Sequence, residues 1–173
     1  LHTLTLLENG SIDIGLIGRP AGIRPFVFYS LGGIEDTFVA ARPYLDNLCL
    51  RSGRRSIGEF SVSELFANAN LMLLDEQNIT RQHIDGYLAQ HQITAGQLLE
   101  ISNMDLLIDF ARIGLGIACV IREFIQSDLD SGTLLEIPLT DPIPGREIGF
   151  AHTKAAPPNE AVQKFLALCG KEA

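Results

Sequence analysis

Three things are scarce in this 173-residue chain, and each scarcity removes a class of function. Basic residues are few, 13 against 21 acidic, for a formal net charge of −8. Phosphate backbones are gripped by basic faces, so this stretch is not expected to hold nucleic acid itself. Long apolar runs are missing: nothing approaches the about 20 residues of a membrane helix, so no membrane contact is expected. No signal peptide is visible at Leu1. Cysteine is sparse and scattered; Cys49, Cys119 and Cys169 form no C-x-x-C pair and read as small buried hydrophobes. With no disulfide scaffold in view, a reducing cytoplasm is the expected compartment.

Catalytic and metal-binding patterns are missing too. His2, His83, His91 and His152 show neither metal spacing nor a recognisable nucleophile or base beside them, and His83 and His91 lie eight residues apart on one predicted helix, too far to chelate together. Asp105 and Asp109 are one helical turn apart, but Arg112 follows Asp109 at helical spacing, which reads as a solvated charged face. Gly114-Leu-Gly116 lacks the full dinucleotide fingerprint and follows a helix rather than a strand. No cofactor, no metal and no enzymatic activity are expected.

What remains is ordinary globular composition, 46% apolar and 20% charged, enough to bury a core in one domain or two small ones. The most informative stretch runs from Gln97 to Ile121 and reads as strand, helix, tight turn, strand. Ser102 or Asn103 can cap the helix, and Met104, Leu107, Ile108 and Ala111 share one of its faces. Gly114 sits where a left-handed helix-ending residue belongs, and Gly116 relieves crowding as the next strand begins. Residues 114–121 carry no charge, which suits a strand buried between two helix layers.

In chain order, the pattern predicts the end of a helix at 1–7, strands at 11–17, 26–31 and 36–41, and a weak helical turn at 44–50. A polar loop with Arg54-Arg55 precedes a helix over 60–69, capped at Ser61 or Ser63 with Glu64 in capping-box register to Ser61. A strand at 71–74 and a loop at 75–78 lead to a helix capped by Thr80 and running to about 92. After the central stretch come a helix at 123–129, strands at 134–139 and 147–152, and a last helix to 168. Alternating strands and helices argue for an α/β protein with mixed, mostly parallel sheets. Two stretches, 68–74 and 135–145, read as crossings between two Rossmann-like lobes. Lobe I is expected at 1–69 and 141–173, lobe II at 70–140, with a ligand cleft between them.

A strand running into a capped helix leaves N–H groups that can seat a small anion. Gln77, Asn78 and Thr80 at one helix start, and Ser102, Asn103 and Met104 at another, are therefore candidate ligand residues. Ordinary capping accounts for the same residues equally well. Arg19, just past the strand at 11–17, is a candidate counter-charge or a surface turn residue, and Ile121, closing the strand at 117–121, completes the set.

Read together, these segments resemble the effector-binding (substrate-binding) domain of LysR-type bacterial transcriptional regulators. Leu7-Glu-Asn-Gly-Ser-Ile-Asp-Ile-Gly-Leu-Ile17 is similar to the family's L-x-x-G-x-hydrophobic-D-hydrophobic segment. Residues 36–45, ending in Arg42-Pro-Tyr-Leu45, resemble its strand running into a His-Pro-Leu stop. Ser63-Glu-Leu65 resembles the opening of its next helix, and residues 102–121 its capped helix followed by G-x-G-I-A. Gly132-Thr-Leu134 through Pro138, Arg146-Glu-Ile-Gly-Phe150 and residues 158–168 resemble its closing segments. Arg122-Glu123 stands where the family commonly has proline. The resemblance implies a two-lobed fold like that of type 2 periplasmic binding proteins. It also implies a strand, a helix and a strand ahead of Leu1 that this sequence does not include. An effector would bind between the lobes. Partners would be that small molecule, expected to be anionic, a second copy in a homodimer or tetramer, and DNA only through a preceding winged helix-turn-helix. An extracytoplasmic solute-binding protein of a transporter, or an enzyme on the same two-lobed plan, are the alternatives.

Overall fold

The computed structural model describes residues 2–19, 25–155 and 157–171. Its first elements are α1 (His2–Glu8), β1 (Gly15–Gly18), β2 (Phe26–Ile34), β3 (Asp36–Ala41), α2 (Arg42–Arg51) and α3 (Val62–Asn68). They are followed by β4 (Asn70–Leu74), α4 (Ile79–Gln90), β5 (Gln97–Ile101), α5 (Met104–Arg112) and β6 (Ile117–Ile121). The chain closes with α6 (Gln126–Ser131), β7 (Leu134–Glu136), β8 (Arg146–Thr153) and α7 (Glu160–Leu168). These form two compact units, Leu1–Ile34 with Gly145–Ala173, and Glu35–Pro144.

The first unit is built on a three-stranded sheet in the order β1-β8-β2, antiparallel throughout. Leu7, Ile17, Phe26 and Ala151 form its core, with Leu4, Ile12 and Phe28 packed against them. The second unit has a five-stranded mixed sheet, β5-β4-β6-β3-β7. Its central strands are apolar on both sides and alternate strictly, as a sheet covered on both faces requires. Phe38, Leu71, Leu73, Ile117 and Cys119 face one core, shared with Leu45, Phe66, Ile84 and Tyr87. Val39, Met72, Leu74, Ala118 and Val120 face the other, shared with Leu107, Ile108 and Ala111. Helix α4 therefore lies on one face of the sheet and α5 on the opposite face.

Local signals formed as expected where a single turn decides them. Ser61 and Glu64 make a reciprocal capping box, Glu64 N–H donating to Ser61 Oγ at 3.2 Å and Ser61 N–H to Glu64 Oε2 at 2.8 Å. Gly114 holds φ +79°, and a side chain at Gly116 would put its Cβ 2.5 Å from the Asn70 carbonyl oxygen.

The differences are longer-range. The compact units divide at 34/35 and 144/145, not at 69/70 and 140/141, because β3 pairs with β6 and β7 and so draws residues 36–69 into the second unit. The chain thus passes between the units after Ile34 and before Gly145, rather than at 68–74. Parallel pairing is confined to β4 with its neighbours β5 and β6; the other described pairings are antiparallel, including all those of the first unit. Strand β2 continues through Gly32-Gly33 by a register shift between Ser30 and Gly32. Pro43 sits in the first turn of α2 rather than merely stopping the strand before it, since a first-turn residue needs no N–H. Strand β7 stops at Glu136, two residues before Pro138.

Candidate functional site

The C-terminal ends of β4, β5 and β6 lie along one edge of the second unit's sheet, because β4 runs parallel to both neighbours. From that edge α4 departs over one face and α5 over the other. Adjacent parallel strands whose outgoing helices take opposite faces leave a crevice beyond their carboxyl ends, the place where open α/β sheets bind ligands.

Both helices begin there under an asparagine. Asn78 accepts from Thr80 N–H at 2.9 Å, and Asn103 accepts from Leu106 N–H at 2.9 Å. Asn78, not Thr80, is the cap of α4; Thr80 stands two residues on, 7% exposed. Of the two candidates for α5, Asn103 caps, and its amide lies 3.5 Å from Ser102 Oγ. An α-helix gives its first N–H groups no internal acceptor, and each cap satisfies one of them. The N–H groups of Ile79 and Arg81 on α4, and of Met104 and Asp105 on α5, are left without an acceptor inside their helices.

The structure gathers seven of the eight predicted residues on this edge: Gln77, Asn78 and Thr80 at α4, Ser102, Asn103 and Met104 at α5, and Ile121 at the end of β6. Gln77, Ser102 and Asn103 are exposed, while Asn78, Met104 and Ile121 are half-buried. The loop ahead of α4 is tied down by Asp75, whose carboxylate accepts from Gln77 N–H at 3.0 Å. Arg19 belongs to the first unit. Its guanidinium pairs with Glu147 and lies 5.7 Å from the Phe28 ring centroid.

Arg81 was not anticipated from the sequence. It is only 5% exposed. Nη1 donates to the Leu74 carbonyl at 2.8 Å and to Glu100 Oε1 at 2.9 Å, joining the ends of β4 and β5; Nε donates to Asp85 at 2.8 Å. Burial alone would lower its pKa, but the hydrogen bonds to Asp85 and Glu100 outweigh that and hold it above the ordinary guanidinium value. A signal was present: Arg81 stands in the apolar register of Ile84 and Leu88, with an aspartate four residues on. A second unanticipated pair supports α5 from its far end. Arg112 grips the buried Asp128 with two bonds of 2.9 and 2.8 Å as well as Asp109, and Asp128 is held below its usual carboxylate pKa by that guanidinium.

Two hollows elsewhere in the second unit are not lined by any of the eight residues. One, about 480 Å³, includes Arg42, Leu45, Arg54 and Arg55; the other, about 300 Å³, includes Ser61, Tyr87, His91 and Asp141. Among the described residues no cluster of three or more His, Cys, Asp or Glu is placed to hold a metal ion. His152 is buried rather than on the rim, its Nδ1 donating to the Thr153 carbonyl at 2.9 Å. Cys49 and Cys119 are buried and neither is in a disulfide; burial raises the Cys49 thiol pKa, with Asp46 and Glu59 adding to it. No described helix is long and apolar enough to cross a membrane.

Residues 2–173 match the family model described as the LysR substrate binding domain. The chain is 29% identical over 162 residues to the HTH-type transcriptional regulator YeiE of Escherichia coli (strain K12), itself described as uncharacterized; the match covers 91% of this chain and 50% of YeiE. The chain therefore spans about half the length of that curated relative. The regulatory domain of HypT from Salmonella typhimurium in its apo form shares the fold with a TM-score of 0.77 at 14% identity, over 98% of this chain and 76% of that one. The regulatory domain of CcmR from Synechocystis PCC6803, in complex with 2-PG, does so with a TM-score of 0.76 at 12% identity, over 97% and 76%.

Proposed function

Since the chain belongs to the LysR substrate-binding domain family, we propose that it is the effector-sensing part of a transcriptional regulator and that its second unit receives a small anion at the strand-end edge. The observation that carries this reading is the arrangement of α4 and α5, which start side by side under Asn78 and Asn103 on opposite faces of one sheet. Main-chain N–H groups from two helix starts, with their partial positive charge, suit a carboxylate or phosphate oxygen. Gln77, Asn78, Thr80, Ser102, Asn103, Met104 and Ile121 line this seat. Arg19, already paired with Glu147, contributes a cation only if an effector displaces that carboxylate. That the CcmR regulatory domain was solved in complex with 2-PG supports a bound effector in a domain of this fold.

The response is a population shift: an effector that binds one arrangement of the chain better than another moves the equilibrium by that difference and no more. In the whole regulator, self-association as a homodimer or tetramer would transmit the shift to a separate DNA-binding domain, read by the duplex as half-site geometry. The protein would work in the cytoplasm, as a switch rather than a catalyst. Family membership favours this over solute delivery to a transporter. The test is isothermal titration with 2-PG, sulfate and small carboxylates. The Thr80→Ala/Ser102→Ala double variant is expected to bind about ten-fold more weakly, two modest hydrogen bonds being lost. Unchanged affinity would take both residues out of the site.

A further inference from the structure

Helix α4 has a second set of attachments, along the side away from its capped start. His83, Tyr87 and His91 recur every four residues and so stand on one face. All three grip the same stretch, the last residues before the chain re-enters the first unit. Tyr87 OH donates to the Asp141 carbonyl at 2.5 Å, and His83 Nε2–H donates to the Pro144 carbonyl at 3.0 Å. His91 Nδ1 lies 3.6 Å from the Asp141 carboxylate, with its ring 4.4 Å from that of Tyr87. Ile137, ahead of the gripped stretch, and Ile143, within it, are buried. Pro138, Pro142 and Pro144 stiffen it and contribute no N–H, so side chains of α4 supply the polar fastening that backbone pairing does not. Beside Thr140 and Asp141 lies the hollow of about 300 Å³, bordered by Ser61 and Ser63. That space gives the stretch room to leave its present seat.

We propose that α4 is the coupling element of the domain: its start forms part of the effector seat, and its His83–Tyr87–His91 face latches residues 139–144, so that a change at one end is felt at the other. The effector half of this statement rests on the function proposed above; the mechanical half does not. A rigid helix bonded at its start to β4 through Arg81 and along its side to the return stretch is the physical link between the two places.

The latch is tested without any effector, in the full-length protein, by the rate at which endoproteinase Asp-N cuts the Thr140–Asp141 bond under native conditions. That rate follows the population in which the stretch is released. Tyr87→Phe is expected to raise it about five-fold, the worth of one hydrogen bond, while cutting before Asp13 and Asp130 is unchanged. His83→Ala, at a half-buried position outside the core clusters, should act in the same direction. Asn78→Ala, at the opposite end of α4, should raise the same rate about two-fold, a part of the cap's contribution reaching the latch. Combined with Tyr87→Phe it should add less than its separate factor, because a released latch no longer senses the helix start. Unaltered cutting at Thr140–Asp141 in both latch variants would overturn the latch. Equal acceleration at all three bonds would reduce these contacts to general stabilisation, and independent multiplication of the two effects would overturn the coupling. A failed effector titration leaves this experiment untouched, so the two ideas fail separately.

Discussion

Helices α4 and α5 begin alike and are held differently. Each follows a parallel strand, each is capped by asparagine, and each starts on the same edge of the sheet. The first turn of α4 sinks into the unit, with Thr80 7% and Arg81 5% exposed, and is bolted to the ends of two strands. The first turn of α5 stays at the surface, and that helix is secured by Leu107, Ile108 and Ala111 and by Arg112 at its far end. One helix is anchored by polar groups where a ligand would sit, the other by apolar packing and an ion pair elsewhere. An edge built this way has one firm side and one adaptable side.

The largest effect should come from breaking the firm side. Arg81→Ala removes the bonds to Leu74 and Glu100 and leaves a buried carbonyl unsatisfied, which should cost about 3 kcal/mol in urea unfolding. Arg81→Met, which restores the buried stem, should cost about half as much. An equal loss in both would locate the anchor's value in its charge alone.

Next comes the far end of α5. Arg112→Ala strands the buried Asp128, at about 2 kcal/mol, a figure already reduced because the Arg112 side chain is 40% exposed. The pH dependence fixes the sign. Asp128 has its folded pKa lowered, chiefly by the hydrogen bonds to Arg112, from an ordinary 3.8. Its contribution is therefore complete above that ordinary value and disappears as pH falls through the lower folded one. Stability curves of wild type and Arg112→Ala should converge in strong acid, separate as the pH rises from the lowered folded value toward 3.8, and keep a constant gap above it. Parallel curves would show that the variant acts through packing.

The smallest effect compares the two caps directly. Asn78→Ala and Asn103→Ala should each cost about 1 kcal/mol by thermal unfolding. The cost at Asn103 should approach zero in the Asn103→Ser variant, which keeps an accepting oxygen at an exposed turn. At the half-buried Asn78, serine should recover less.

What could be read from the sequence was what neighbours in the chain decide. The Ser61–Glu64 box, the apolar face of α5 and the glycines at 114 and 116 each answer to a local rule and stand where those rules put them. The two helix starts were legible too, although α4 is capped by Asn78 and not by the expected Thr80. The rest depends on partners distant in sequence. Nothing near Asp36 states that its strand will pair with Ile121, so the division between units was expected at the wrong place. Arg81 could be seen in an apolar register, but its meaning lies in Leu74 and Glu100, one on each of two strands. Pro43 has two local readings, strand end and helix start, and only the packing of Leu45, Leu48 and Cys49 beneath α2 selects the second.

The order of strands in the first unit has a consequence for biosynthesis. Strands β1 and β2 each pair with β8 and not with each other, so neither described strand finds its partner until roughly a hundred further residues have left the ribosome. At about 10 residues per second that is a wait of roughly ten seconds. The second unit, continuous from Glu35 to Pro144, is complete before then. During translation β1 and β2 must therefore wait longer for β8 than the strands of the second unit wait for theirs, and a stall between Pro144 and Gly145 would release a chain whose second unit has matured while its first has not.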